Sequence, residues 1–389
     1  MNYDVIIIGG GAAGLACAVR LLKGKSNLKL CLFDAGDRFG KKLAASGNGQ
    51  GNISNLDMST GHYHGGNIPL VEKIACADPY AGSMLFDCLF TADDKGRIYP
   101  AGKQASALVD NLVYILKNSA ARLNWGVKIQ SIEKTEKGYS INDGLSDNTA
   151  KYVVLCTGGK AQKQFKTDGT SYALAQKFGH KLTALYPSLV QLKTETKYIK
   201  TLKGIRVDCN VSAYSDGKFL NKVRGDLIFT DYGVSGNSVF SISSYVTDKP
   251  GATLSIEFLP DFTAEEIEKS ILDKKKAGWE SSELLSGSLH NQVGRAIVSR
   301  TGSSSQKEIV KTLKNFTLPV FGTLGFDYAQ VTRGGIDMKD ISGELESKLA
   351  QNLFFAGEIL DVDGDCGGYN LQWAFTSGMS VADAILKRL

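Results

Sequence analysis

The first 34 residues constrain the chain more than any other stretch. Residues 3–8, YDVIII, form an apolar run suited to a strand buried in a parallel sheet. Gly9-x-Gly11-x-x-Gly14 follows at once and opens into an apolar stretch, residues 15–22, that suits a helix. A second strand-like run, residues 29–34, ends in Asp34, twenty residues after Gly14. Strand, glycine turn, helix, strand and terminal acid together predict a βαβ unit that holds a dinucleotide. Gly9 makes the turn tight, and Gly11 with Ala12 and Ala13 brings backbone N–H groups to a pyrophosphate at the positive end of the helix. Gly14 lets helix and strand pack closely, while Asp34, with Ala35 beside it, accepts hydrogen bonds from a ribose.

Glycine is enriched, at 43 of 389 residues, about 11% against a usual value of about 7%. It comes in clusters (9–11, 47–51, 158–159, 334–335, 367–368) and not as a repeat, which excludes collagen-like and low-complexity chains and suggests close backbone approach to a ligand. A net charge of +5 spread along the chain, without a basic stretch interleaved with aromatics, argues against nucleic acid as a partner. The seven cysteines at 17, 31, 76, 88, 156, 209 and 366 include no CxxC pair, so reduced thiols in a cytoplasm and no metal site are expected. No apolar run reaches 18 residues, and strand-like residues begin at Asp4 without a basic leader; a membrane or secreted protein is not expected.

No second GxGxxG occurs, so one dinucleotide domain is expected. Residues 151–159 (KYVVLCTGG) read as another buried strand ending in a small-residue turn, after short strand-like stretches near 127–133 and 138–142. Residues 352–358 (NLFFAGE) read as a strand ending in Gly-Glu, and residues 365–378 as a turn entering a helix. This order resembles the two-dinucleotide-binding-fold flavoproteins related to glutathione reductase. The resemblance implies that FAD is the cofactor, that Gly357 and Glu358 meet the ribityl chain, and that the last helix points its N-terminus at the flavin through Gly367, Gly368, Tyr369, Asn370 and Leu371. A helix N-terminus suits the negative charge that a reduced flavin carries at its N1/O2 edge. Ile129, Thr157, Gly158 and Gly159 join the expected cofactor contacts.

More specific motifs narrow the family. Residues 39–55 (FGKKLAASGNGQGNISN), 96–100 (GRIYP), 229–236 (FTDYGVSG), 331–335 (VTRGG) and the run from Phe355 to Gln372 resemble, in order along the chain, the BaiN and aminoacetone oxidase family of bacterial flavoproteins. That family implies that the polar loop SGNGQGNISN runs along FAD, with contacts from Lys42, Leu43, Ser46, Gly47, Asn48 and Asn52. Such a loop brings N–H groups and uncharged side chains to the flavin edge. The chain departs from the family in having Gln50-Gly51-Asn52 for Arg-Cys-Asn, Asp231 for His and Asn237 for Pro, which puts substrate specificity in doubt.

The fold class expected is α/β: a discontinuous Rossmann-like FAD-binding domain (1–186 and 328–389), a β-rich cap (187–262 and 316–327) and a helical subdomain (263–315) that starts with a capping-box pattern at Thr263. Candidates to meet a substrate are Arg97 and Tyr99 on one side and Arg206, Asp231, Tyr232 and Ser235 in the cap, each with an ordinary surface role as the alternative. His62 and His64 are candidates for proton transfer or for tethering the flavin; His180 and His290 read as structural. Cys366 lacks a partner cysteine, which disfavours disulfide reductase chemistry. The expected activity is an FAD-dependent oxidoreductase of a small metabolite. The version expected first oxidises a small amine such as aminoacetone and passes electrons to O2 with release of peroxide, because no second nucleotide fingerprint provides a domain for NAD(P)H; the alternative takes electrons from NAD(P)H and reduces an unsaturated substrate. A flavin-binding protein without turnover is the third alternative.

Overall fold

The computed structural model describes residues 1–302 and 305–389. The chain forms two compact units, Met1–Tyr186 with Val331–Leu389, and Pro187–Gln330.

The first unit is built on a sheet whose strands run in the order Arg122–Trp125, Leu30–Asp34, Asn2–Ile8, Asp147–Leu155. These four are parallel to their neighbours, and Val5, Ile6 and Ile7 are fully buried, as a strand covered on both faces requires. The long Asp147–Leu155 strand then forks. Its first half pairs antiparallel with Gly138–Asn142, which continues to Ser131–Thr135; its second half pairs in parallel with Leu353–Phe355. The fork brings the carboxyl end of a strand from late in the chain beside Leu155, whose other neighbour is Ile8. Ligands of open α/β sheets bind at that edge.

Two helices cover the central strands. The first, Ala12–Gly24, packs against the last, Tyr369–Leu386. Contact is close because position 378 is glycine: a Cβ there would lie 2.3 Å from the Ala13 carbonyl oxygen.

The second unit is a closed antiparallel barrel in the order Leu192–Thr194, Gly233–Ser235, Lys218–Phe229, Arg206–Ser215, Ala252–Phe258, Phe316–Thr323, the last pairing back to the first. Strand alternation fills it: Val207, Cys209, Val211 and Ala213 are buried along one strand and Ala252, Leu254, Ile256 and Phe258 along another. Within the region expected to be β-rich, the chain bends at Leu189, whose φ is +52°, and pairing into the barrel starts at Leu192. Helices Ala264–Lys276, Asn291–Thr301 and Gln306–Lys314 follow the fifth strand. Thr263 and Glu266 form the capping box read from the sequence. Ile267, Ile271, Ile297, Ile309 and Leu313 from these helices share one apolar core with the barrel.

Candidate functional site

Three glycines of the first turn do three different things. At Gly9, φ is +106° and a Cβ would lie 2.3 Å from the Cys156 carbonyl oxygen; at Gly14 it would lie 1.8 Å from the Gly9 carbonyl oxygen. Both are fixed by the protein's own packing. At Gly11 a Cβ would meet nothing within 4 Å. Gly11 starts the helix, and no side chain caps it, so the space beside Gly11 and the uncapped helix start suit a pyrophosphate cradle. Asp34 accepts from the N–H of Gly10 and of Gly36, both at 2.7 Å, tying the glycine turn to the end of the second strand. Burial pushes its carboxyl up from the usual value against those two hydrogen bonds. Each carboxylate oxygen keeps a second acceptor position for a ribose hydroxyl. Ala12 and Ala35 lie at the same turn, Ala13 is packed under the last helix, and Ile129 is buried at the end of the loop after Trp125.

The motifs at 157–159, 331–335 and 357–358 meet at Thr332, a residue the sequence reading did not single out. Thr332 Oγ1 accepts from the N–H of Lys160 (2.7 Å) and Ala161 (2.9 Å), and its own N–H donates to Glu358 Oε1 at 2.8 Å. The other Glu358 oxygen accepts from Lys42 Nζ at 2.7 Å in a mostly buried ion pair. Glu358 and Lys42, each expected to touch the cofactor, are therefore locked to one another. Gly159 has no space for a side chain, since its Cβ would lie 2.5 Å from Thr332 Oγ1, and Gly158 has φ +70°. Gly357 likewise lies against Ala13, 2.8 Å from a Cβ built there. Thr157 Oγ1, beside this hub, is buried without a hydrogen-bond partner.

The SGNGQGNISN loop splits in two. Residues 46–50 are largely exposed, with Gly47 and Asn48 both left-handed (φ +56° and +54°) and Ser46 Oγ bonded to the Leu43 carbonyl; Leu43 is buried beneath them. Residues 51–55 are buried. Asn52 Nδ2 donates to the carbonyls of Ser54 and Ile98, so this amide holds the loop to the GRIYP strand. Ser54 and Asn55 pair with Ile98 and Arg97 in that strand. Asn55 Nδ2 donates to the Gly367 carbonyl at 3.1 Å, and a Cβ at Gly368 would lie 2.3 Å from the Ser54 carbonyl oxygen. Asn370 closes the turn by exchanging hydrogen bonds with Gly364. Three motifs far apart in sequence thus converge where the last helix begins at Tyr369, with Leu371 in its first turn. Ser54 Oγ is a second fully buried hydroxyl without a partner. An open cradle at Gly11, an uncapped helix and two orphaned hydroxyls fit a polar cofactor lying along this edge.

Of the substrate candidates, Arg97 gives its fork to Asp93 (2.8 and 2.6 Å) and lies near the Tyr99 ring, which is buried. Burial pushes the Tyr99 phenol and the Cys366 thiol up, with Arg97 opposing in both cases. In the second unit, Asp231 is exposed and paired with Lys203 at 2.6 Å, which lowers its carboxyl; burial raises the neighbouring Tyr232 phenol. Arg206 is an exposed partner of Asp226, and Ser235 ends a barrel strand. His180 is buried against Ser347, and His290 precedes a helix. All seven cysteines are free. Among the described residues no cluster of His, Cys, Asp and Glu is arranged to hold a metal, and no helix is long and apolar enough to cross a membrane.

Comparison with known proteins agrees with this geometry. Residues 3–384 match the family described as the HI0933-like protein Rossmann domain. A 3-dehydro-bile acid delta(4,6)-reductase of Clostridium scindens is 31% identical over 98% of both chains. A ribosomal RNA dihydrouridine synthase of Escherichia coli is 27% identical over 99% of this chain and 98% of its own, and the Haemophilus influenzae protein of that name is 29% identical over 98% of both. Among solved structures, the 3-ketosteroid delta1-dehydrogenase of Sterolibacterium denitrificans aligns over the full length of both chains with a TM-score of 0.53 at 12% identity, a likeness of fold. The chain belongs to the HI0933-like family of Rossmann-fold flavoproteins and is an FAD-dependent oxidoreductase.

Proposed function

We propose that the chain is a reductase that takes electrons from NAD(P)H and saturates a carbon–carbon double bond conjugated to a carbonyl in a small molecule. The observation that carries this reading is that three full-length relatives, named for unlike substrates, are named for one kind of transformation. A delta(4,6) double bond in a 3-dehydro-bile acid and the double bond removed when uridine becomes dihydrouridine are both conjugated to a carbonyl. The chemistry that FAD supplies when bound is hydride transfer. In sum, the double bond gains a hydride at the β carbon and a proton at the α carbon, and NAD(P)H is oxidised to NAD(P)⁺.

The chain's own residues bind and orient. Gly11, Ala12 and the first helix hold the pyrophosphate, and Asp34 the ribose. Lys42, Glu358 and Thr332 fix the strand ends that flank the cofactor, and the turn Gly367–Gly368 aims the last helix. Arg97 and Tyr99, on the strand paired with Ser54–Asn55, are the candidates nearest this turn for meeting the substrate. A small molecule is favoured over RNA because residues 187–330 carry basic and acidic side chains in near balance.

One observation favours the oxidase of a small amine instead: the second unit is an antiparallel barrel with helices, not a second dinucleotide fold dedicated to NAD(P)H. Incubation with NADPH or NADH and a panel containing an α,β-unsaturated ketone, an unsaturated acid and uridine-containing RNA separates the readings. The expected result is one saturated small-molecule product carrying a hydrogen from labelled nicotinamide. Peroxide formation with aminoacetone, and no saturation of any member, would overturn it.

A further inference from the structure

Four ionisable side chains outside the glycine motifs form a chain beside the last helix. His62 Nε2 lies 3.1 Å from Asp57 Oδ2, and His62 Nδ1 lies 3.1 Å from Asp365 Oδ2. The other Asp365 oxygen is 2.9 Å from His64 Nε2. The His62 ring is also stacked on Tyr369, with centroids 4.3 Å apart and an interplanar angle of 18°. Its carbonyl accepts from the Asp365 N–H at 2.9 Å. Strands Tyr63–Gly65 and Val362–Gly364 pair antiparallel, which keeps the two segments in register.

Carboxylate oxygens accept and do not donate. A neutral imidazole has one N–H and one lone pair, so with a carboxylate at each nitrogen one contact would set lone pair against lone pair. Only an imidazolium satisfies both. Burial opposes the charge, but Asp365 and Asp57 outweigh it and leave the His62 pKa above its ordinary value. On the other side, Asp57 is held down to about 2 by the Ser59 N–H and His62. From the helix Ile68–Ala75, packed beside the 60–62 turn, the ionisable groups are Glu72 and Lys73, with Cys76 at its end; none is a hydrogen-bond partner of the ring.

What the network holds is the turn from Asp365 to Tyr369. Asn55 and Ser54 fix one side of that turn, and His62 fixes the other. We propose that His62 is a positioning residue for FAD: bridging Asp57 and Asp365 as an imidazolium, it pins the Gly367–Gly368 turn that aims the last helix at the cofactor, so FAD affinity follows its protonation. The proposal rests on FAD as the cofactor and not on the reductase reading. The raised folded-state pKa makes the bridge contribute to folding stability fully below the ordinary imidazole value of about 6.5, a contribution lost as pH rises through the raised one; FAD affinity follows in the same sense because the cofactor binds the pinned turn more tightly than the released one, so that FAD binding raises the His62 pKa further.

The test is the FAD dissociation constant of the stripped protein, read by flavin fluorescence from about pH 6 to about pH 9, spanning the imidazole range. Wild type is expected to weaken roughly tenfold across that range, the scale of one charge-assisted hydrogen bond. His62→Gln is expected to be weak already at the acid end and flat with pH. A flat wild-type profile, or the full slope retained in His62→Gln, would overturn the proposal. Should His62→Gln not fold, ring ¹⁵N spectra of the wild-type protein decide: at neutral pH both His62 nitrogens should be protonated, and a neutral ring would sink the idea.

Discussion

At the scale of single residues, the three glycines of the first turn separate folding from binding. Gly14→Ala drives a methyl into the Gly9 carbonyl and should cost about 1–3 kcal/mol or more of unfolding free energy, measured by denaturant titration of the protein without cofactor. Gly11→Ala adds its methyl to open space. It should leave that stability within about 0.5 kcal/mol while weakening FAD binding at least about tenfold, because the cradle it narrows is sized for pyrophosphate. Equal losses of stability in the two variants would refute the division. Glu358→Gln leaves the mostly buried Lys42 ammonium without its carboxylate and should cost about 1–2 kcal/mol, with Lys42→Met giving a non-additive double mutant. The glycine roles were legible in sequence because they are local, set by neighbours one turn away. Thr332 was not, since its partners are at 160, 161 and 358 and only the fold brings them together. His62 showed the same limit. It was visible as a histidine after the loop, but its charge follows from Asp365, three hundred residues on.

At the scale of elements, the site depends on how the last helix lies on the first. Gly378 lets them touch, and Gly357 lets the segment after strand Leu353–Phe355 lie against Ala13. Gly378→Leu should separate the helices, lower the melting temperature and release FAD together, whereas Ser380→Ala, two residues on and only partly buried, should do neither; differential scanning fluorimetry with flavin release checks both. The strands at 2–8 and 30–34 and the second half of 147–155 could be read from sequence because buried parallel strands are continuous apolar runs. The fork of Asp147–Leu155 could not, since one strand holding two partners on the same edge leaves no mark in its own residues. Barrel closure was also hidden: it depends on Leu192–Thr194 and Gly233–Ser235, each too short to show a period.

For the whole molecule, the fold class expected from the order of motifs is the one observed, an α/β FAD-binding unit accompanied by a β-rich one. Its logic is that strands from both ends of the chain finish on one edge of one sheet, where the glycine turn, the Thr332 hub and the start of the last helix meet. The sequence, lacking a second nucleotide fingerprint, pointed to an oxidase, whereas the names of the relatives point to a reductase; the cofactor cradle itself is common to both directions of electron flow. The most direct measurement is an anaerobic titration of the purified holoprotein with NADPH and NADH, following the visible flavin band, and then addition of an α,β-unsaturated ketone. The account predicts that stoichiometric nicotinamide bleaches the band and that the ketone restores it without oxygen. A band that stays yellow with both nicotinamides and bleaches with a small amine would contradict it.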